Sequence, residues 1–193
     1  MQMAPQEVRT FFVTALTWGR RPIFLAEPMA LLFLDTLRNH RIHHHYLLHE
    51  FVLMPEHFHL LLTPVPDVSL QKALHTGSPA RAVVARAGVE LIRGGFSFRV
   101  KHEMGLAFHP SKPKAGLLGT PESVWQPRPT NHRIRDADDY ARHVEYIRQN
   151  PVKRHLVENP QEYPYSSASA ALEVDPAPPG LKARFLRTSG SPG

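Results

Sequence analysis

The chain contains no cysteine. Disulfides and thiolate metal sites are therefore excluded, and an intracellular location is favoured. Long hydrophobic runs are missing too. The longest, around Met29 to Leu34, is far too short to span a bilayer. The opening residues, Met1-Gln2-Met3-Ala4-Pro5-Gln6-Glu7, lack the basic-then-apolar build of a signal peptide. These absences lead us to expect a cytoplasmic protein with no membrane partner. Acidic side chains are in deficit, 17 against 23 lysines and arginines, which leaves a net charge of +6 and a sequence pI of about 9.9. A basic balance suits a polyanionic partner such as nucleic acid, although many basic proteins bind none.

What remains is an ordinary globular composition, 42% hydrophobic and 21% charged over 193 residues. That length supports one well-buried domain and a tail. The domain is expected over residues 1–172. The segment 173–193 carries Asp175-Pro176-Ala177-Pro178-Pro179-Gly180 and Ser189-Gly190-Ser191-Pro192-Gly193, a composition that predicts a largely disordered tail.

Taken in order, Thr10 to Leu16 is rich in aromatic and β-branched residues and predicts a first strand. From Glu27-Pro28 to about Arg41, apolar residues recur at helical spacing, with Pro28 suited to a first turn. Tyr46 to Leu53 and His57 to Thr63 predict two strands joined by the short turn Met54-Pro55-Glu56, hence an antiparallel hairpin. A helix is expected to start at Val68 to Leu74, to be interrupted by an insertion around Gly77 to Gly88, and to resume at about Val89. Ala107 to Pro121 reads as a flexible loop. Ser123 to Ile134 predicts a fourth strand, confined in part to an edge by Pro127 and Pro129. Asp136 caps a last helix that Pro151 is expected to stop after Asn150.

Chemistry concentrates in two places. In an extended strand, side chains alternate faces, so His57 and His59 project together, half of a divalent metal site. Taken alone, the same pair fits two surface histidines on an edge strand. On the last helix, Tyr140, Val144 and Ile147 form the core stripe, while Tyr146 and Asn150, four apart, share an adjacent one. A tyrosine hydroxyl, with a pKa of about 10, is a poor nucleophile unless a cation polarises the group it attacks. Asn150 could offer its amide oxygen to such a cation. Taken alone, this helix equally fits a structural tyrosine and a capping asparagine. Two other patterns carry less. His43-His44-His45 cannot all face one site, and His49-Glu50 lacks the second histidine of a zincin helix, Leu53 standing in its place. Arg93, Arg99 and Lys101 interleave with aromatics, which suits gripping a single nucleic-acid strand or, equally, a solvated basic face.

Several of these segments, in order, resemble one family. Met54-Pro55-Glu56-His57-Phe58-His59-Leu60-Leu61 resembles the histidine-hydrophobic-histidine (HUH) motif of single-strand DNA transposases with one catalytic tyrosine. Val144-Glu145-Tyr146-Ile147-Arg148-Gln149-Asn150-Pro151-Val152 resembles their tyrosine helix. Val124-Trp125-Gln126-Pro127, His132-Arg133-Ile134-Arg135-Asp136, Ile92-Arg93-Gly94-Gly95-Phe96-Ser97 and Tyr163-Pro164-Tyr165-Ser166-Ser167 resemble the branch called REP-associated tyrosine transposases. The resemblance spans roughly Thr10 to Ser169. The insertion around Gly77 to Gly88 departs from the pattern, as do Pro129 and Asn131, where relatives often carry an aromatic and an acidic residue. These departures bear on substrate grip.

The resemblance implies an α+β fold, a ferredoxin-like antiparallel sheet with packed helices in the order β-α-β-β-α-β-α. It implies His57, His59 and Asn150 as ligands of Mg²⁺ or Mn²⁺, and Tyr146 as the nucleophile of a transposase and endonuclease. The enzyme would cleave and rejoin single-stranded DNA at hairpin-forming repeats through a 5′-phosphotyrosine. DNA contacts are expected from Arg93, Arg99, Lys101, Arg128, His132 and Arg133, and the expected location is the cytoplasm, in association with the nucleoid. Two competing functions stay open: a hairpin-DNA-binding module without catalysis, and a small metallohydrolase acting on nucleic acid through His57, His59 and His132. A homodimer, with Tyr146 of one chain beside the histidines of the other, is equally compatible with the sequence.

Overall fold

The computed structural model describes residues 9–43, 46–65, 80–105, 123–169 and 172–181. Four strands, β1 (Phe11–Leu16), β2 (Tyr46–Met54), β3 (His57–Pro64) and β4 (Thr130–Arg133), form one antiparallel sheet in the order β2-β3-β1-β4. The helices are α1 (Glu27–Ile42), α2 (Ala80–Glu103) and α3 (Ala137–Lys153). In chain order this is the β-α-β-β-α-β-α arrangement expected for a ferredoxin-like sheet, with β3 in a central position. None of the described helices is long and apolar enough to cross a membrane.

Strand alternation sorts the side chains to two faces. Phe58, Leu60 and Leu62 join Val13, Phe33, Leu37, Ile92, Phe96 and Trp125 in the core beneath α1 and α2. Leu61, Val52 and Met54 face the other way and pack with Ile147 and Tyr140 of α3. His57 and His59 share the face of Leu61, so the strand presents them toward α3. Asp136 caps α3 by accepting from Asp139 N at 2.8 Å.

Element boundaries differ from expectation in four places. The helical stretch before the Gly-Gly segment starts at Ala80, not at about Val89, because Ala80 to Ala87 is rich in strong helix formers. The segment 66–79, where that helix was expected to begin, and the loop at 106–122 lie outside the described residues, as do His44 and His45. The fourth strand is only Thr130–Arg133. Pro127 and Pro129 lack the donors a ladder needs, and Arg128 between them has φ 61°. Trp125 still makes an isolated bridge to Thr17. The last helix runs past Pro151 to Lys153. A proline there removes one donor only, and its buried ring and the bond from Arg154 N to Asn150 O complete the final turn. In the segment expected to form a tail, Asp175 accepts from Arg41 Nε and Nη2, both at 2.9 Å, and from Leu48 N at 2.8 Å. Leu172, Val174, Ala177 and Leu181 pack on the two cores. Its first part is therefore fastened to the sheet, and 182–193 lie outside the described residues.

Candidate metal and nucleophile site

On β3 the Nε2 atoms of His57 and His59 approach to 3.1 Å. Each ring is held from behind. Glu56 Oε1 stands 3.2 Å from His57 Nδ1, and Thr14 Oγ1 stands 2.7 Å from His59 Nδ1. A carboxylate only accepts, so His57 carries its proton on Nδ1 and turns the lone pair of Nε2 toward His59. Thr14 and Leu16 are the cross-strand partners of His59 and His57, which makes the register of β1 part of the site. Burial lowers the pKa of both rings. For His57, desolvation outweighs the opposing pull of Glu56. For His59, desolvation, then His57, then Arg154 bring it to about 3. Both imidazoles are thus neutral at pH 7 and available as ligands.

Helix α3 lies across this pair. The Tyr146 ring packs edge-on against His59, centroids 5.1 Å apart. Two turns later Arg154 reaches Glu56 at 3.2 Å, the same carboxylate that holds His57. Asn150 lies midway between these two contacts, four residues from each, on the same stripe of the helix. It is buried, and its Oδ1 has no hydrogen-bond partner among the described residues. A buried carbonyl oxygen left unpaired is costly and calls for an explanation, of which an unseen ion is one.

The donor set fits a divalent cation. Two ligands about 2.1 Å from one ion, at roughly right angles, lie about 3 Å apart, close to the observed Nε2 separation. His57, His59 and Asn150 would hold it. Two imidazoles and an amide oxygen favour Mn²⁺ or a later transition metal over Mg²⁺, which prefers oxygen alone.

Among the described residues, one further group could hold a metal: His132, Asp139 and His143, with donor atoms within 4.8 Å of one another. Its carboxylate is already satisfied. His132 Nε2 lies 2.8 Å from Asp139 and Arg135 N donates at 3.1 Å, while the guanidiniums of Arg135 and Arg142 stand at 3.5 and 3.4 Å. Burial works against ionisation, yet these bonds hold Asp139 below the usual carboxylate range. With two arginines on its carboxylate this group is a poor home for a cation.

The remaining expected residues divide between the faces. His132 stacks on His143, centroids 4.9 Å apart, and His143 touches Phe12, which stacks on His59. His132 is therefore one ring ladder away from the histidine pair and does not join it as a ligand. Arg128 is exposed on the turn before β4. Arg133, opposite Phe11, alternates to the other face. Arg93, Arg99 and Lys101 lie on α2, across the sheet from the histidines, and are not brought to the site. Arg93 is buried and donates to Glu90 and to Gln126 O, while Arg99 pairs with Asp35 and Glu103. The sequence reading overlooked Thr14, Phe12 and the orienting role of Glu56. Only Glu56, adjacent to His57, left a local signal.

Comparison with known proteins bears on this geometry. None of the family models compared matches the chain. A REP-associated tyrosine transposase of Escherichia coli K12 is 44% identical over 46 residues, 24% of this chain and 28% of that protein. One from Haemophilus influenzae, described as putative, is 50% identical over 44 residues, 23% of this chain and 25% of that protein. The chain is similar to REP-associated tyrosine transposases. The matched stretch spans about a quarter of the length of these curated relatives. Over a longer span, a solved structure of a REP-associated tyrosine transposase bound to a REP hairpin superposes with a TM-score of 0.55 at 23% identity. That match covers 90% of this chain and 88% of the other. At that identity the likeness establishes the fold.

Proposed function

We propose that the protein is a metal-dependent transposase and endonuclease acting on single-stranded DNA at hairpin-forming repeats, with Tyr146 as nucleophile. The observation that carries this reading is the meeting of two elements. The neutral imidazoles of His57 and His59 lie together on β3, the Tyr146 ring of α3 packs against His59, and one turn further along that helix the buried Asn150 oxygen has no hydrogen-bond partner among the described residues. The REP hairpin bound in the similar solved structure supports the substrate class, and the net positive charge suits it.

His57, His59 and Asn150 would hold a divalent cation, which when bound would supply Lewis acidity to the scissile phosphate and its departing oxygen. The chain's own residues do the rest. As the bond from Tyr146 Oη to phosphorus forms, the bond from phosphorus to the 3′ oxygen breaks. The tyrosine proton passes to solvent, and the departing oxygen takes one up as a free 3′-hydroxyl. The product is a 5′-phosphotyrosine. Attack on it by another 3′-hydroxyl restores a phosphodiester and returns the proton to Tyr146, so joining needs no external energy source. Phe12, packed against both His59 and Tyr146, keeps the two halves in register.

Incubation with 5′-labelled and 3′-labelled single-stranded hairpins, with and without Mn²⁺, tests this reading. A covalent adduct on the 5′ end, dependent on Mn²⁺ and absent in Tyr146→Phe, is the expected result. An adduct that persists in Tyr146→Phe means the nucleophile is another residue. Hairpin binding without any cleavage would make the protein a binding module.

A further inference from the structure

On α3 the stripe that carries Tyr146 and Asn150 continues to Lys153, seven residues and about two turns beyond the tyrosine. The Lys153 ammonium lies 5.7 Å from the centre of the Tyr146 ring. The other basic residues of this helix are answered by carboxylates: Arg142 by Asp139, Arg148 by Glu50, Arg154 by Glu56. Lys153 is exposed and has no carboxylate partner among the described residues. An uncompensated cation is thus held over the ring that packs against His59. An ammonium is a compact, strongly hydrated point charge on a flexible stem, suited to a single phosphate oxygen. We propose that Lys153 is a phosphate-binding residue of this site, holding a non-bridging oxygen of the phosphate that Tyr146 attacks and of the same phosphate once bonded to the tyrosine.

The inference rests on the reading of Tyr146 as nucleophile, and it concerns binding as well as rate. Negative charge gathers on the non-bridging oxygens during transfer, and a fixed cation there stabilises the transition state more than the free strand. Lys153 projects from the exposed end of a helix whose core contacts lie at Tyr140, Val144 and Ile147, so its replacement leaves the fold intact.

Two measurements on the full chain test it. In a Tyr146→Phe background, where no adduct can form on residue 146, binding of 5′-phosphorylated oligothymidine is compared with that of the 5′-hydroxyl strand in Mn²⁺. Adding Lys153→Met should reduce the preference for the phosphorylated strand roughly ten- to a hundred-fold, and Lys153→Arg should keep most of it. With Tyr146 intact, Lys153→Met should slow adduct formation by about the same factor while Mn²⁺ affinity is unchanged. The proposal is overturned if Lys153→Met leaves the preference and the rate as they were. Equal weakening toward both strands, or a loss of Mn²⁺ affinity, overturns it too, since either makes Lys153 a general or structural contact. A wild-type protein that forms no adduct but whose phosphate preference depends on Lys153 would sink the reaction and leave the binding site standing.

Discussion

Glu56 accepts from His57 Nδ1 and from Arg154 at once, both at 3.2 Å. It fixes the tautomer of His57, one of the proposed metal ligands, and ties the end of α3 to the turn between β2 and β3. Outer carboxylates of this kind orient a ligating imidazole and raise its basicity. Glu56→Ala should therefore lower Mn²⁺ affinity about 10- to 100-fold, read by calorimetric titration, with secondary structure unchanged. Affinity equal to wild type would show that the carboxylate only decorates the turn. At this scale the pairing of His57 with His59 on one strand face, and of Tyr146 with Asn150 on one helix stripe, was legible because strand and helix periodicities are local. Thr14 and Phe12 were not, because nothing near them in sequence says which strand lies beside β3.

Among the elements, α3 matters most, because it brings Tyr146, the proposed nucleophile, against the histidine strand. Ile147, fully buried among Val52, Met54 and Leu61, anchors it one residue after Tyr146. Truncating such a side chain loses its burial and leaves a cavity. Ile147→Ala is expected to cost about 2–5 kcal/mol, measured by urea unfolding, and to slow adduct formation by loosening the helix. A cost below about 1 kcal/mol would mean that α3 is held mainly by its polar ties. One such tie is Arg148 to the buried Glu50, which also bonds Ser167. Helix ends were the least legible features. Pro151 was expected to end α3, and instead burial of its ring and of Asn150 carries the helix three residues further. Arg93 and Arg99 look like a nucleic-acid grip when read along the chain, yet in the fold they hold α2 to its neighbours.

At the scale of the whole molecule, three histidines buried among the described residues set the response to acid. His49 is bonded to Thr63, and burial lowers its pKa, as it does for His57 and, to about 3, for His59. Their ordinary value is 6.5, so below it the unfolded chain binds more protons than the folded one. Stability is then complete above about pH 6.5 and falls below it, by up to about 1.4 kcal/mol per pH unit for each histidine, with His59 contributing down to about pH 3. Unfolding midpoints across this range check the sign. A protein equally stable at pH 7 and pH 4.5 would contradict it. Mn²⁺ at a hundred times its dissociation constant should raise stability at pH 7 by about 2.7 kcal/mol, and His59→Ala should abolish that increment.

The sequence by itself determined the elements and the pairing of residues along each: two histidines on one strand face, and a tyrosine and an asparagine on one helix stripe. Both are fixed by backbone geometry over a few residues. Only the tertiary structure decided that the two halves meet. It set Asn150 between the contacts that Tyr146 and Arg154 make with the histidine strand, turned Glu56 and Thr14 into supports, and sent Arg93 and Arg99 to the opposite face. Those outcomes depend on strand order and on which face each helix covers. Both are settled by burial of apolar surface between residues far apart in the chain, which no local pattern records.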